Sequence, residues 1–279
     1  MWSTRAAAAE QRGLEKFKKV VDIPAHLCYN NKCQEDIRKG NKTMMLENVM
    51  VLDSETTNSV EQPLPYDVGY AIVSPDGSIL VTRSFVIAEM FLDKELMSYA
   101  YFADKIPQYW EDIKKGTREL KTFYNIRRQI KEDLTNYSVK KVGAYNMGFD
   151  KRAMNNDTRY ITKSFLRWFF PYGTEFFCIW NWACSTILST ENYINFALAN
   201  GYVSDKGNIQ TSAECAYRFL TNDVNFVECH TGLEDVLIEV AIMIACINSG
   251  VEGDTKINSA CWRKVQKKKR EMDLREAFK

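Results

Sequence analysis

The chain has 279 residues, 46% of them hydrophobic, enough to bury a full core in one large domain or in one domain with appendages, so disorder is not the default reading. Thirty-seven Lys and Arg against 36 Asp and Glu leave almost no net charge, so any polyanion-binding surface must be a local patch. The N-terminus lacks the apolar centre of a secretory signal, and the longest apolar stretch, Val236 to Ile247, is short and broken by Glu239. A soluble, cytoplasmic protein with no membrane partner is therefore expected. Eight irregularly spaced cysteines, mostly inside apolar runs, read as reduced core residues rather than a disulfide framework.

Residues 1–45 are helix-prone, then polar, and show no hydrophobic period, so they read as an N-terminal extension. Within them His26, Cys28 and Cys33 offer three soft ligands, but a fourth is missing and the spacing fits no standard zinc site. From Val49 the pattern changes. Val49 to Leu52, Val68 to Val73 and Ile79 to Ile87 predict three strands, with a turn at Pro75, Asp76 and Gly77, and short connections imply an antiparallel meander. Two helices fit between Leu96 and Tyr137, where Ile126, Ile130 and Leu134 share one face. Lys141 to Tyr145 predicts a fourth strand, Asp150 to about Phe170 a helix, Phe176 to Trp180 a fifth strand and Ser212 to Leu220 a helix. The fold class expected is α/β, a five-stranded mixed sheet flanked by helices.

Thr231 and Glu234 form a capping-box pattern ahead of an apolar stripe at Leu233, Val236, Leu237, Val240, Ala241 and Ile244. The expected domain spans 46–250. Residues 251–279, with the run RKVQKKKR at 263–270, read as a basic C-terminal tail able to touch phosphates or simply to face solvent. The aromatic stretch 176–188 reads as core, with base stacking by Trp180 or Trp182 as the alternative.

Three segments carry candidate chemistry. In VLDSETT (51–57), alternation puts the carboxylates of Asp53 and Glu55 on one face of a strand end, a donor pair suited to hard divalent cations. By itself this pair also fits a solvated strand end. In AYNMGFD (144–150), a strand runs through Asn146 and delivers Asp150 to the start of a helix, where it could equally serve only the helix dipole. In HTGLED (230–235), the capping pattern leaves His230 in the turn before the helix and Asp235 in its first turn, so both can approach one point.

Together, in order and over roughly residues 48 to 248, these segments resemble the DEDDh (DnaQ-like) 3′→5′ exonuclease family. The resemblance implies a ribonuclease H-like fold, with the Asp-x-Glu motif at Asp53, Glu55, Thr56 and Thr57, the second motif at Asn146, Phe149 and Asp150, and the His-x4-Asp motif at His230 and Asp235. It further implies two Mg²⁺ or Mn²⁺ ions held by Asp53, Glu55, Asp150 and Asp235, with His230 as general base. Thr56, Thr57, Asn146 and Phe149 would meet the substrate, a single-stranded nucleic-acid 3′ end, with DNA favoured. Tyr145 stands where many members carry His. RNA 3′-end trimming and a catalytically silent nucleic-acid-binding scaffold are the competing readings.

Overall fold

The computed structural model describes residues 47–278, so the N-terminal extension and the group of His26, Cys28 and Cys33 lie outside the described residues. The centre is a mixed sheet with strand order β4-β3-β2-β1-β5-β6. β1 (Val49–Thr57), β2 (Leu64–Val73) and β3 (Ile79–Ile87) form the expected antiparallel meander. On the other side of β1, β5 (Lys141–Ala144) and β6 (Glu175–Cys178) add in parallel. The architecture is the predicted α/β class, with six strands rather than five. The additional one, β4 (Glu119–Lys121), pairs in parallel with the far side of β3. Three residues of sequence Glu-Leu-Lys carry no readable period, which is why the sequence does not announce it.

Alternation along β1 divides the core. Val49 and Val51 face one layer, with Ala71 and Val73, while Met50 and Leu52 face the other, with Val68 and Tyr70. Beyond two short helices, α1 (Ala88–Phe91) and α2 (Lys94–Met97), the second layer holds α3 (Ile106–Lys115), α4 (Phe123–Asn136) and α5 (Met147–Thr162). Ile126, Ile130 and Leu134 of α4 are buried there as their spacing predicts. The first layer holds α6 (Ile179–Ser185), α7 (Glu191–Ala199), α8 (Ala213–Thr221) and α9 (Gly232–Asn248).

Several boundaries differ from expectation. α5 stops at Thr162, where Lys163 turns left-handed with φ 54°, instead of running to Phe170. Trp180 belongs to α6, not to β6. α9 has no single stripe: Val236, Ile238, Val240, Ala241, Ile242 and Met243 are all buried, because the helix lies between the sheet and α8. The basic run is no tail. It starts α10 (Arg263–Ala277), which adds Val265 to the first core, and the Gln266 amide exchanges two hydrogen bonds with the Ile209 backbone, at 3.0 and 2.9 Å. One apolar residue among eight was too thin a signal for that packing.

Among the described residues, Cys178, Cys184, Cys215, Cys246 and Cys261 are buried free thiols and Cys229 is exposed. No described helix is long and apolar enough to cross a membrane.

Candidate active site

The alternation that sends Val49 and Val51 toward α9 continues along β1, so Asp53 and Glu55 emerge on the α9 side. In the ladder Asp53 stands opposite Gly69 and Glu55 opposite Asp67. Gly69 lets the first turn of α9 rest directly on β2: a Cβ there would lie 2.2 Å from the Leu233 nitrogen, and one on Gly232 2.7 Å from the Gly69 nitrogen. No side chain fits between them. This approach carries His230 and Asp235 to Glu55, and one ligand atom from each of these three residues lies within 4.8 Å of the others.

A buried network holds that turn. Arg118 donates from Nη1 to both oxygens of Asp67 at 2.9 Å, and Asp67 also accepts from the Tyr109 hydroxyl and the Gly232 N–H, each at 2.8 Å. The other Arg118 nitrogen reaches Glu234 at 3.1 Å. The expected capping box is thereby replaced. Thr231 is the N-cap residue but accepts no backbone N–H; its hydroxyl donates to Glu234 at 2.8 Å, and its own N–H donates to Asp235 at 3.1 Å. Asp67, from a neighbouring strand, does the capping, and nothing local to 230–235 could have shown it.

His230 sits in the turn with φ 52°, the left-handed region. Its ring stacks on Phe102, centroids 4.1 Å apart and planes 10° apart. Burial, with Lys105 also contributing, holds the imidazole pKa below its usual value. At neutral pH the ring is accordingly an uncharged proton acceptor.

From the other layer, α5 presents Asp150 in its first turn, buried, with the Ser54 hydroxyl donating to it at 2.8 Å. Asp53, at the centre, is pushed well above the carboxylate range by burial and then by Glu239, Asp150, Glu55 and Asp235. Burial pushes Asp150 up to about 7 against the Ser54 hydrogen bond and the nearby Arg152 charge; burial with Asp67, Glu228 and Asp150 pushes Glu55 to about 8, and burial with Glu228, Glu55 and Glu234 pushes Asp235 to about 9. Glu239, one helical turn beyond Asp235, is 3% exposed and is likewise pushed well up. It is the acid that the sequence reading missed, although its i+4 spacing from Asp235 inside an apolar helix was a visible signal.

Of the residues expected to meet substrate, Asn146 is exposed and Thr56 and Phe149 half-buried, whereas Thr57 is buried with its hydroxyl donating to the Leu96 carbonyl. Thr57 therefore holds the strand end in place.

The donor set fits hard divalent cations: carboxylate oxygens and one imidazole, with no thiol. Asp235 Oδ1 and Glu239 Oε2 are buried without a protein hydrogen-bond partner, so both are open to a cation, although Asp157, away from the site, also has unpartnered buried oxygens. Among the described residues none of the five acids forms a salt bridge, and the Arg152 charge and the hydrogen bonds to Asp150 and Asp235 offset their burial only in part, so protons or added cations would relieve the rest.

No protein-family model and no curated protein matches the sequence. Among solved structures, the zinc-bound complex of E. coli exonuclease I with single-stranded DNA aligns with 70% of this chain and 39% of its own, at TM-score 0.47 and 12% identity. The same enzyme with a dA16 oligonucleotide gives 70% and 39%, TM-score 0.42 and 13% identity. Exonuclease I from Methylocaldum szegediense gives 72% and 40%, TM-score 0.41 and 14% identity. The chain spans about two-fifths of the length of these proteins, and at such scores the likeness carries no functional argument.

Proposed function

We propose that the chain is a metal-dependent 3′→5′ exonuclease that releases nucleoside 5′-monophosphates from single-stranded 3′ ends, DNA in preference to RNA. The observation that carries this reading is the convergence of Asp53, Glu55, Asp150 and Asp235, without ion-pair partners among the described residues, around a histidine kept neutral. These four residues would hold two Mg²⁺ or Mn²⁺ ions. When bound, the ions would acidify a water and stabilise the leaving oxygen.

The residues of the chain supply the rest. His230 takes the proton from the attacking water, its ring plane set by Phe102. The hydroxide so formed attacks the terminal phosphodiester in line, and the 3′-oxygen of the shortened strand leaves. The backbone at Glu55 and Thr56, where the β1–β2 register shifts, receives the terminal sugar. Asn146 and Phe149 flank the entering strand.

Purified protein should shorten a 5′-labelled DNA single strand stepwise from its 3′ end with Mg²⁺ or Mn²⁺, and not at all with EDTA. A matched RNA strand should be shortened more slowly. Faster RNA shortening would reverse the substrate assignment, and no hydrolysis of either strand with either metal would refute the function.

A further inference from the structure

Two open surface depressions meet at Trp262. One, of about 330 Å³, is lined by Trp262, Asn208, Arg263, Lys269 and Arg270; the other, of about 360 Å³, lies between Trp262 and Trp180 and is lined by Asn208, Gln210, Thr211 and Ser212. Each has the size of a small-ligand site. Among the described residues no acid lines either cavity, in a chain where acids and bases are nearly equal in number.

Most cations of α10 are paired. Lys264 pairs with Asp254, Lys267 with Glu271, Lys268 and Arg275 with Glu191 and Lys269 with Asp273. Arg263 and Arg270, seven positions and so two turns apart, have no carboxylate partner among the described residues, and both face the first cavity. Arg263 lies over the Trp262 ring at 5.6 Å, and Arg270 touches only the Gln266 carbonyl, at 3.3 Å. One cavity thus offers guanidinium groups, and its neighbour offers two indoles with uncharged donors and acceptors. That pairing matches a nucleotide, with its phosphate on one side and its base and sugar on the other.

The groove also connects to the carboxylates. The Tyr145 backbone lies beside Glu239 and lowers its pKa, the Tyr145 carbonyl accepts from the Trp180 backbone N–H at 2.8 Å, and the Tyr145 hydroxyl donates to the Thr211 carbonyl at 2.7 Å. Trp180 Nε1 in turn donates to the Thr211 hydroxyl at 2.9 Å. A single residue therefore touches both the acidic cluster and the walls of the second cavity.

We infer that the groove on both sides of Trp262 binds nucleotide units of the substrate strand upstream of its 3′ end, phosphates at Arg263 and Arg270 and a base against the indoles. This rests on the exonuclease reading. The test is binding of a fluorescein-labelled dT20 strand in EDTA, followed by anisotropy across a KCl series, for the parent and for Arg263→Gln/Arg270→Gln. Both positions are exposed, so the double variant should fold as the parent does. The expected result is binding about tenfold weaker, with the log–log salt slope smaller by about 1.4, two cations on a single strand. Trp262→Leu should weaken binding about five- to a hundredfold through lost stacking, with Trp262→Phe restoring most of it.

Unchanged affinity and salt slope in the double variant would overturn the inference. So would saturable binding of free dTMP that needs the two arginines while dT20 binding does not, which would make the groove a mononucleotide site. A parent that binds dT20 through these residues yet hydrolyses nothing would leave the groove standing and remove the exonuclease, so the two failures are distinguishable.

Discussion

Asp67 and Glu55 face each other across one rung of the β1–β2 ladder, yet their surroundings are opposite. Asp67 is fully buried and fully answered, by a guanidinium, a phenol and a backbone N–H. Asp53 and Glu55 are half-buried and Asp150, Asp235 and Glu239 buried, and among the described residues none of the five forms a salt bridge. At this rung a built-in cation, and not burial alone, sets the two carboxylates apart. Asp67 pins α9 to the sheet, and under the proposed function the acidic cluster would take its cations from solution.

The difference can be broken from either side. Asp53→Ala removes a cation ligand and no packing, so turnover should fall by about a thousandfold or more. The metal-free variant should melt at or above the parent temperature, because one repelling acid is gone. A folded Asp53→Ala protein with near-parent turnover would remove this residue from the site. Arg118→Ala does the reverse. It strands a buried Asp67 and should cost about 3–5 kcal/mol of stability, since removing one member of a buried ion pair leaves the other uncompensated. A parent-like denaturant midpoint would show that the clamp is not needed.

His230→Ala should lower turnover roughly a hundred- to ten-thousandfold while ion and strand binding persist. In the parent, turnover should rise with pH through an imidazole titration set below the usual 6.5, and that limb should vanish in the variant. A destabilised but fully active variant would make His230 a structural residue only.

The smallest effect is on pH-dependent stability without metal. Asp150, Glu55 and Asp235 are pushed to about 7, 8 and 9 in the folded protein, so between about pH 4 and 9 the folded state binds more protons than the unfolded state. Stability of the metal-free protein should therefore fall as pH rises through that window, and saturating Mg²⁺ should flatten the decline. Asp67→Asn should make this slope shallower, because the Asp67 charge helps to raise Glu55 and Asp67 is itself raised by burial. A melting temperature independent of pH would contradict the raised carboxylates.

How legible the site was depended on whether its logic was local. Alternation along β1 placed Asp53 and Glu55 on one face, and the turn before α9 put His230 and Asp235 side by side; both follow from a few adjacent residues. The Asp67–Arg118 clamp joins residues 51 positions apart, and no periodicity reports it. Phe102 stacks on His230 from an irregular segment 128 positions earlier in the chain. Glu239 was visible and discounted as an interruption of an apolar run, when in α9 it is the continuation of the acidic cluster. Among the elements, the meander and α4 were readable from period, whereas β4 was too short and the packing of α10 hid behind its charge.

The most direct test is calorimetric titration of metal-free protein with Mn²⁺ at pH 7 in two buffers of different ionisation enthalpy. Two ions should bind per chain and protons should be released, because Glu55 and Asp235 retain them at that pH. Asp53→Ala should lose this binding, and Arg118→Lys should keep it in the folded fraction. Absence of Mn²⁺ binding, or identical binding and proton release in Asp53→Ala, would contradict the claim that these carboxylates form the metal centre.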